Sequence, residues 1–438
     1  MTKNELKQQV CAAIDKRATE IIEMGETIFK QPELGFKEHN TASLVKEKFE
    51  SLGLEYKDQL ALTGLRADMK GRSSDTRVAV MGELDAVICH DHPFADKKTG
   101  AVHACGHNAQ IASMIGTAMG LKDTNAMKEL DGDVAFLAVP AEEYVEIEYR
   151  MKLQEEKKIE FLGGKQEFIR LGVFDDVDMT MMIHSSSNLP GKKARVGGKS
   201  NGFIGKAVKY IGTEAHAGGA PHQGVNALNA AMLGMMGIHA LRETFKDDDA
   251  IRVHPIITKG GDLVNIVPAD VRIETYIRGK TMEAILDANK KVNRALEAGA
   301  MAVGAEVEIT EIPGYLPLKN DPQMSEFFKE NMGEIIGEEN LSYGKHMAGS
   351  TDMGDVTNIM PGIHPEIGGI TGRAHARDYE IVDKEMAYVV PAKGMAMTVV
   401  DLLYDKAQLG KKVLEDAKPP MTVAEYLEMW QELFSKGK

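Results

Sequence analysis

The stretch "RVAVMGELDAV" runs from Arg77 to Val87 and ends among two carboxylates, Glu83 and Asp85. Apolar and rich in β-branched residues, it suits a strand buried on both faces. The form recurs in "DVAFLAVPAEE" (Asp133–Glu143), which closes on Glu142 and Glu143, and in "DMTMMIHSSSN" (Asp178–Asn188), which reaches His184. "TGLRADMKG" (Thr63–Gly71) is shorter and alternates. Helical segments lie between, such as Ala109 to Leu121. Strand–helix alternation predicts an α/β domain: a mixed sheet with parallel portions and helices on both faces. In open α/β sheets ligands bind beyond the carboxyl ends of the strands. Glu83, Asp85, Glu142, Glu143 and His184 all fall there.

Upstream, the first fifty residues read as two helices broken at "QPELGFKEHN", where Pro32 and Gly35 punctuate the pattern. Downstream, the character changes near Arg195. "NGFIGKAVKYIGTEAHAGG" alternates as a long strand, "NALNAAMLGMMGIHALRETF" reads as a helix, and "IRVHPIITKG" and "ADVRIETYIRG" as strands. A helix over Met282 to Val303 and the strand "AEVEITEI" complete a β-α-β-β-α-β order. The expected organisation is an inserted α+β domain over 196–313 within a discontinuous domain of residues 1–195 and 314–438. The tail beyond Pro420 reads as an amphipathic helix.

The 438 residues carry a formal net charge of −14, with 43% hydrophobic and 27% charged residues. That balance argues against nucleic acid or an anionic membrane as partner, though not against an anionic small molecule. No stretch of the sequence approaches the apolar length of a membrane span. Three cysteines, Cys11, Cys89 and Cys105, make no disulfide framework. With a polar N-terminal stretch, they predict a soluble, cytoplasmic protein.

"TGAVHACGHNAQ" (Thr99–Gln110) sets one of those cysteines between two histidines. Cys105, His107, Glu143, His184 and His375 are five residues of metal-ligating type, drawn from separate places. Each alone is a weak signal, since a lone histidine is commonly structural. Together they exceed one tetrahedral zinc and suit two metals with a shared ligand, for which a thiolate serves; such pairs stand roughly 3.5–4 Å apart and activate a water between them. Of the adjacent Glu142 and Glu143, extended backbone would point one toward the metals and the other toward that water.

In order, "QPELGFKEHNTA", "GELDAV", "HACGHN", "VPAEE", "MMIHS", "GTEAHAGGAPHQGVNALNAA", "GGDLVNIVPADVRIETYIRG", "STDMGDV" and "GRAHARDYE" cover nearly the whole chain. This series resembles the amidohydrolase branch of the aminoacylase and glutamate-carboxypeptidase metallopeptidases. That branch includes auxin-conjugate, hippurate and aminobenzoyl-glutamate hydrolases. The "STDMGDV" form is similar to aminobenzoyl-glutamate hydrolases and β-alanyl dipeptidases. The resemblance implies a catalytic α/β domain with an inserted lid through which two chains form a homodimer. It implies two divalent ions, Zn or Mn with Co also feasible, held by Cys105 as bridge, His107, Glu143, His184 and His375. It makes Glu142 the general base and Asp85 the carboxylate that orients ligands. From the lid, it makes His216 the oxyanion donor to the partner's site, and Asn265 and Arg278 the grip on a substrate carboxylate. Gly349 and Ser350 would offer donors to an anion. The implied reaction is hydrolysis of an N-acyl amino acid, an aminobenzoyl-glutamate-like conjugate or a small dipeptide. A strict dipeptidase and a non-hydrolytic binding protein are the alternatives.

Three departures from the branch bear on substrate. "VICHDHPFADKKTG" replaces a Leu-Pro turn and carries His90 and His92 on a loop. "YVEIEYRMKLQEEKKIEFLGGK" (Tyr144–Lys165) is a charged insertion after "PAEE". "SSSN" follows His184 where a proline or aromatic is usual. His103 reads as a core or supporting residue rather than a ligand.

Overall fold

In the computed structural model, which describes residues 1–435, the strand Arg77–Glu83 lies inside a six-stranded sheet. The sheet order is Tyr56–Leu60, Gly64–Met69, Asp133–Val139, Arg77–Glu83, Met179–Met181, Gly362–Ile363. Gly64–Met69 is antiparallel to both neighbours, and the last four strands run parallel. All seven residues of Asp133–Val139 are buried, so its apolar run has no polar face to alternate with. The parallel strands bring their carboxyl ends to one edge. Helix His107–Asp123 is buried as far as Leu121. It is buried on all sides, and its polar Asn108, Ser113 and Thr117 hydrogen-bond within the domain.

The N-terminal region holds three helices, Lys3–Lys16, Ala18–Lys30 and His39–Ser51, where two were expected. The extra break falls at Arg17 (φ −99°, ψ 5°), with no glycine or proline to mark it. Its guanidinium instead bonds Glu20 at 2.7 Å and Asp123 at 3.1 Å. The membrane expectation also needs correction. Glu385–Asp416 is long and apolar enough to cross a membrane by length and composition. Its most apolar window is 94% buried inside the fold, and the helix is interrupted at Tyr404–Ala407. It is a core helix.

These elements belong to the first of two units, made of Met1–Gly198, Lys319–Lys345 and Val356–Pro420. The second comprises Lys199–Leu318, His346–Asp355 and the chain from Met421 onward. It therefore takes in more than the span 196–313. In the second unit, Gly202–Ile211 pairs antiparallel with both Asp270–Gly279 and Glu306–Pro313. Asp270–Gly279 also pairs with Arg252–Val253 and Ile256–Lys259, two short strands where one was expected, parted by His254 and Pro255. Helices Ala227–Ala240 and Met282–Val303 approach so closely that a Cβ at Gly299 would strike the backbone of Gly234. Buried Lys206 pairs with Glu311 at 2.8 Å, and the Asn289 and Asn293 amides donate to the same carboxylate oxygen. That cluster ties sheet to helix. In the C-terminal helix Val423–Ser435, the Tyr426 hydroxyl donates to Asp355 at 2.8 Å and Trp430 is buried.

Candidate active site

Cys105 stands just before the helix that starts at His107. The turn between them depends on Gly106, at φ +88°. A side chain there would be strained and would strike the Ser185 and Tyr379 hydroxyls. Those hydroxyls bond each other at 2.9 Å, and Ser185 also donates to the Cys105 carbonyl at 2.8 Å. The "SSSN" departure thus begins with a residue that anchors the cysteine loop. His184 and Ser185 form a short strand parallel to Glu366–Ile367. His375 is fastened beside the cysteine through its N–H to the Ala104 carbonyl, 2.9 Å.

The ligating atoms gather into groups that lie within 4.8 Å of one another. One is Cys105, His107 and His184; a second is Cys105, Glu143 and His375. The two share the Cys105 sulfur. Its Sγ is 3.3 Å from His184 Nε2, and His375 Nε2 is 3.0 Å from Glu143 Oε1. A third group joins Glu83, His107 and Glu142, with His107 Nε2 at 2.9 Å from Glu83 and 3.8 Å from Glu142.

The imidazoles are turned to ligate. His107 Nδ1 faces the Asp85 carbonyl at 2.9 Å and its carboxylate at 3.2 Å; His184 Nδ1 faces the Ser185 carbonyl at 2.7 Å. With Nδ1 donating to a backbone oxygen, each Nε2 faces the group and is the nitrogen left to ligate once a cation displaces its proton. Asp85 also accepts the Glu143 N–H at 2.8 Å, so one carboxylate orients two members. Glu143 Oε1 and His107 Nε2 are buried and make no well-aligned hydrogen bond despite their close neighbours. Atoms so placed suit a shared cation, and the thiolate, imidazole and carboxylate set matches divalent metals.

Electrostatics agree with that fit. Burial alone would raise the Cys105 thiol and Glu143 adds to the rise; the His184 and His107 charges outweigh both and bring it down to about 6. Burial would lower His184, yet the Cys105 thiolate lifts it to about 9. His375 rises to about 11 against its own burial, through Cys105 and Glu143. Glu143, which burial would raise, is held at about 2 by His375 and His107. The donor set draws positive charge to a cluster that is buried except at His184 and His375.

Glu142 and Glu143 lie outside any strand. The strand ends at Val139, and Ala141 adopts φ +54°, a strain of order 1–3 kcal/mol for a residue with a side chain. The turn sends Glu142 to the group with His107 and Glu143 to the group with Cys105.

Sequence reasoning missed the buried support around these residues. Glu83 ion-pairs with Lys165, which is fully buried although it closes a charged insertion. His364 stacks edge-on to His184 with ring centroids 5.4 Å apart, and burial together with the His184 charge pushes it down to about 3. The sequence carried no local signal for Lys165, since the helix start it belongs to, "GKQE" (Gly164–Glu167), is itself polar. His92 has both nitrogens engaged, facing the Tyr379 carbonyl at 3.0 Å and accepting the Phe94 N–H at 3.2 Å, so it is structural. His90 is exposed, His103 is buried without a hydrogen-bond partner, and neither joins a ligating group among the described residues.

The second unit holds His216, Asn265, Arg278, Gly349 and Ser350. His216 Nδ1 accepts the N–H groups of Gly218 and Gly219 at 3.2 and 2.9 Å, which leaves the proton on Nε2 as an outward donor. Its loop is laced to that of Asn265 through the Ala217 N–H and the Asn265 carbonyl, 2.9 Å. Arg278 donates to Ser350 Oγ at 3.3 Å and lies over the Phe203 and Tyr276 rings. Among the described residues no carboxylate is within ion-pair distance of it. Gly349 has open space about it.

The sequence profile described as peptidase family M20/M25/M40 matches residues 79–398. The human Xaa-Arg dipeptidase (Homo sapiens) is 29% identical over 434 residues, 94% of this chain and 92% of that protein. An IAA-amino acid hydrolase ILR1-like protein of Arabidopsis thaliana is 26% identical over 380 residues, 82% of this chain and 81% of its own. Among solved structures, a Bacillus subtilis protein described as a dinuclear metal binding peptidase of family M20 superposes with a TM-score of 0.67 at 24% identity. That match covers 89% of this chain and 99% of that one, and establishes the shared fold.

Proposed function

The chain belongs to peptidase family M20/M25/M40 and is a hydrolase of amide bonds, and we propose that it cleaves small N-acyl amino acids or related conjugates whose amine half carries a free carboxylate. One observation carries this reading: two three-donor groups share the Cys105 sulfur, and Glu142 stands beside them. Bound there, two divalent ions would supply polarisation of the scissile carbonyl and acidification of a water. Zinc suits the thiolate and imidazoles best, with manganese and cobalt as further candidates.

Cys105, His107 and His184 would hold one ion; Cys105, Glu143 and His375 would hold the other. Glu142 takes the proton of the attacking water and passes it to the leaving amine. His216, whose Nδ1 accepts two N–H groups and whose Nε2 carries the proton, serves the other chain's site, where it steadies the developing oxyanion. Arg278, with no carboxylate of its own among the described residues, accepts the substrate carboxylate in its fork, helped by Asn265, Gly349 and Ser350. Asp85 keeps His107 and Glu143 aimed.

The dipeptidase relatives favour a second reading, cleavage of dipeptides by the same residues. A homodimer through the second unit is supported by exposed Met232, Leu233 and Met236 on helix Ala227–Ala240. Ile256 and Ile257 are exposed on a short strand that has one neighbour. The test is to quantify bound metal and screen N-acyl amino acids, aminobenzoyl-glutamate and dipeptides. Two ions per chain with metal-dependent cleavage is expected. Failure to bind metal after reconstitution would overturn the reading.

A further inference from the structure

The insertion after Glu143 forms a helix, Ile147–Glu155, whose Glu148, Lys152 and Glu155 are exposed. Arg150 from the same helix is 1% exposed. Among the described residues it has no carboxylate within ion-pair distance. Its guanidinium donates to the Leu162 carbonyl at 2.7 Å, to the Ala141 carbonyl at 3.3 Å and to the Glu143 carbonyl. The Phe36 and Tyr144 rings lie against it, at 5.4 and 5.9 Å. A buried cation without a counter-charge is costly, and mere packing does not call for one.

The carbonyls it grips stand on both sides of Glu142. The left-handed Ala141 is held from the other side too, since its N–H donates to Glu38 at 2.8 Å, and Glu38 is fixed by the Thr63 hydroxyl at 2.6 Å. Gly35 makes room: a Cβ there would strike Arg150 and Ala141. Lys37 fastens the insertion from outside, bonding Glu146 at 2.8 Å and capping the Tyr149 ring.

We propose that Arg150 is a positioning residue which, by clamping the carbonyls of Ala141 and Glu143, aims Glu142 as base and Glu143 as ligand. The inference rests on the hydrolase reading above. The charged insertion is then a brace for the catalytic turn, and "QPELGF" is its socket.

The test compares full-length, metal-loaded wild type with Arg150→Ala and Arg150→Lys. The lysine keeps charge and most bulk but cannot span three carbonyls. For both, kcat on the best N-acyl amino acid is expected to fall roughly 10–100-fold with KM within about threefold, because Arg150 touches no substrate. Added methylguanidinium is expected to restore part of the alanine variant's kcat. Cobalt titration, read by the thiolate–cobalt absorption, is expected to show the second ion bound roughly 10–100-fold more weakly. Lysine-variant kcat and cobalt binding within twofold of wild type would overturn the proposal. So would an alanine variant whose lost activity follows lost melting stability and resists methylguanidinium. A wild type that binds two cobalt ions yet cleaves no amide would sink the hydrolase reading instead, with the cobalt titration of the variants still deciding the clamp.

Discussion

The two units place their candidate side chains in opposite ways. In the first, most groups are buried and held by another: His107 by Asp85, the Cys105 loop by Ser185 and Tyr379, the Glu142 turn by Arg150 and Glu38, while His375, half exposed, is tied through its N–H to Ala104. In the second, His216 and Asn265 are exposed on loops, and among the described residues the Arg278 guanidinium meets a serine and two rings but no carboxylate. A centre that must bind cations demands fixed geometry, because its donors repel unless positive charge sits among them. Residues proposed to meet a substrate need only be aimed, since on that reading their remaining partners arrive with it.

The sharpest break in this contrast comes from Cys105, the one residue in both ligand groups. Cys105→Ala is expected to lose both ions and essentially all turnover, whereas His184→Ala and His375→Ala each keep one ion; metal analysis of the three checks this. Glu142→Gln is expected to lower kcat by roughly 10²–10⁴ while keeping both ions. A variant that stays active would remove Glu142 from the base role. For the second unit the pattern inverts. His216→Ala should cost roughly 10²–10³ in kcat with metal content unchanged. Arg278→Ala should mainly raise KM, roughly 10-fold or more, which initial-rate kinetics at fixed metal resolves.

The smallest effect concerns fold rather than chemistry. Burial would raise the Glu311 carboxyl, but the Lys206 charge and two asparagine amides hold it below its usual 4.5. A carboxyl lowered in the folded state adds stability above its unfolded value, and that gain fades as pH falls through the lowered one. Glu311→Gln should destabilise the second unit by about 3 kcal/mol at neutral pH, leaving Lys206 buried without its counter-charge. The variant should also flatten the acid limb of a melting profile taken below pH 4.5.

The same contrast explains what the sequence disclosed. Strand ends that close on carboxylates or histidine located the edge where the ligands gather, because periodicity and terminal polarity are local properties. The helix Met282–Val303 was legible to the residue, framed by Thr281, whose side chain caps it, and Gly304 in the left-handed region. The break at Arg17 was not, since it answers to Asp123, over a hundred residues away. Nor was the inward turn of Arg150 and Lys165, because charge-rich composition describes the solvated face of a helix and is silent about one residue pointing the other way. The second unit's contributors were named through resemblance, for an exposed histidine or arginine bears no mark of what it awaits.

On the proposed reading one sulfur serves two cations, and that arrangement carries a redox weakness. A thiol at about 6 is mostly thiolate at neutral pH. The metal-stripped protein therefore carries a nucleophile that peroxide or an alkylating agent can consume. Oxidation beyond the sulfenic stage at that single atom would disarm both halves of the centre together, and no later addition of metal would bring either back.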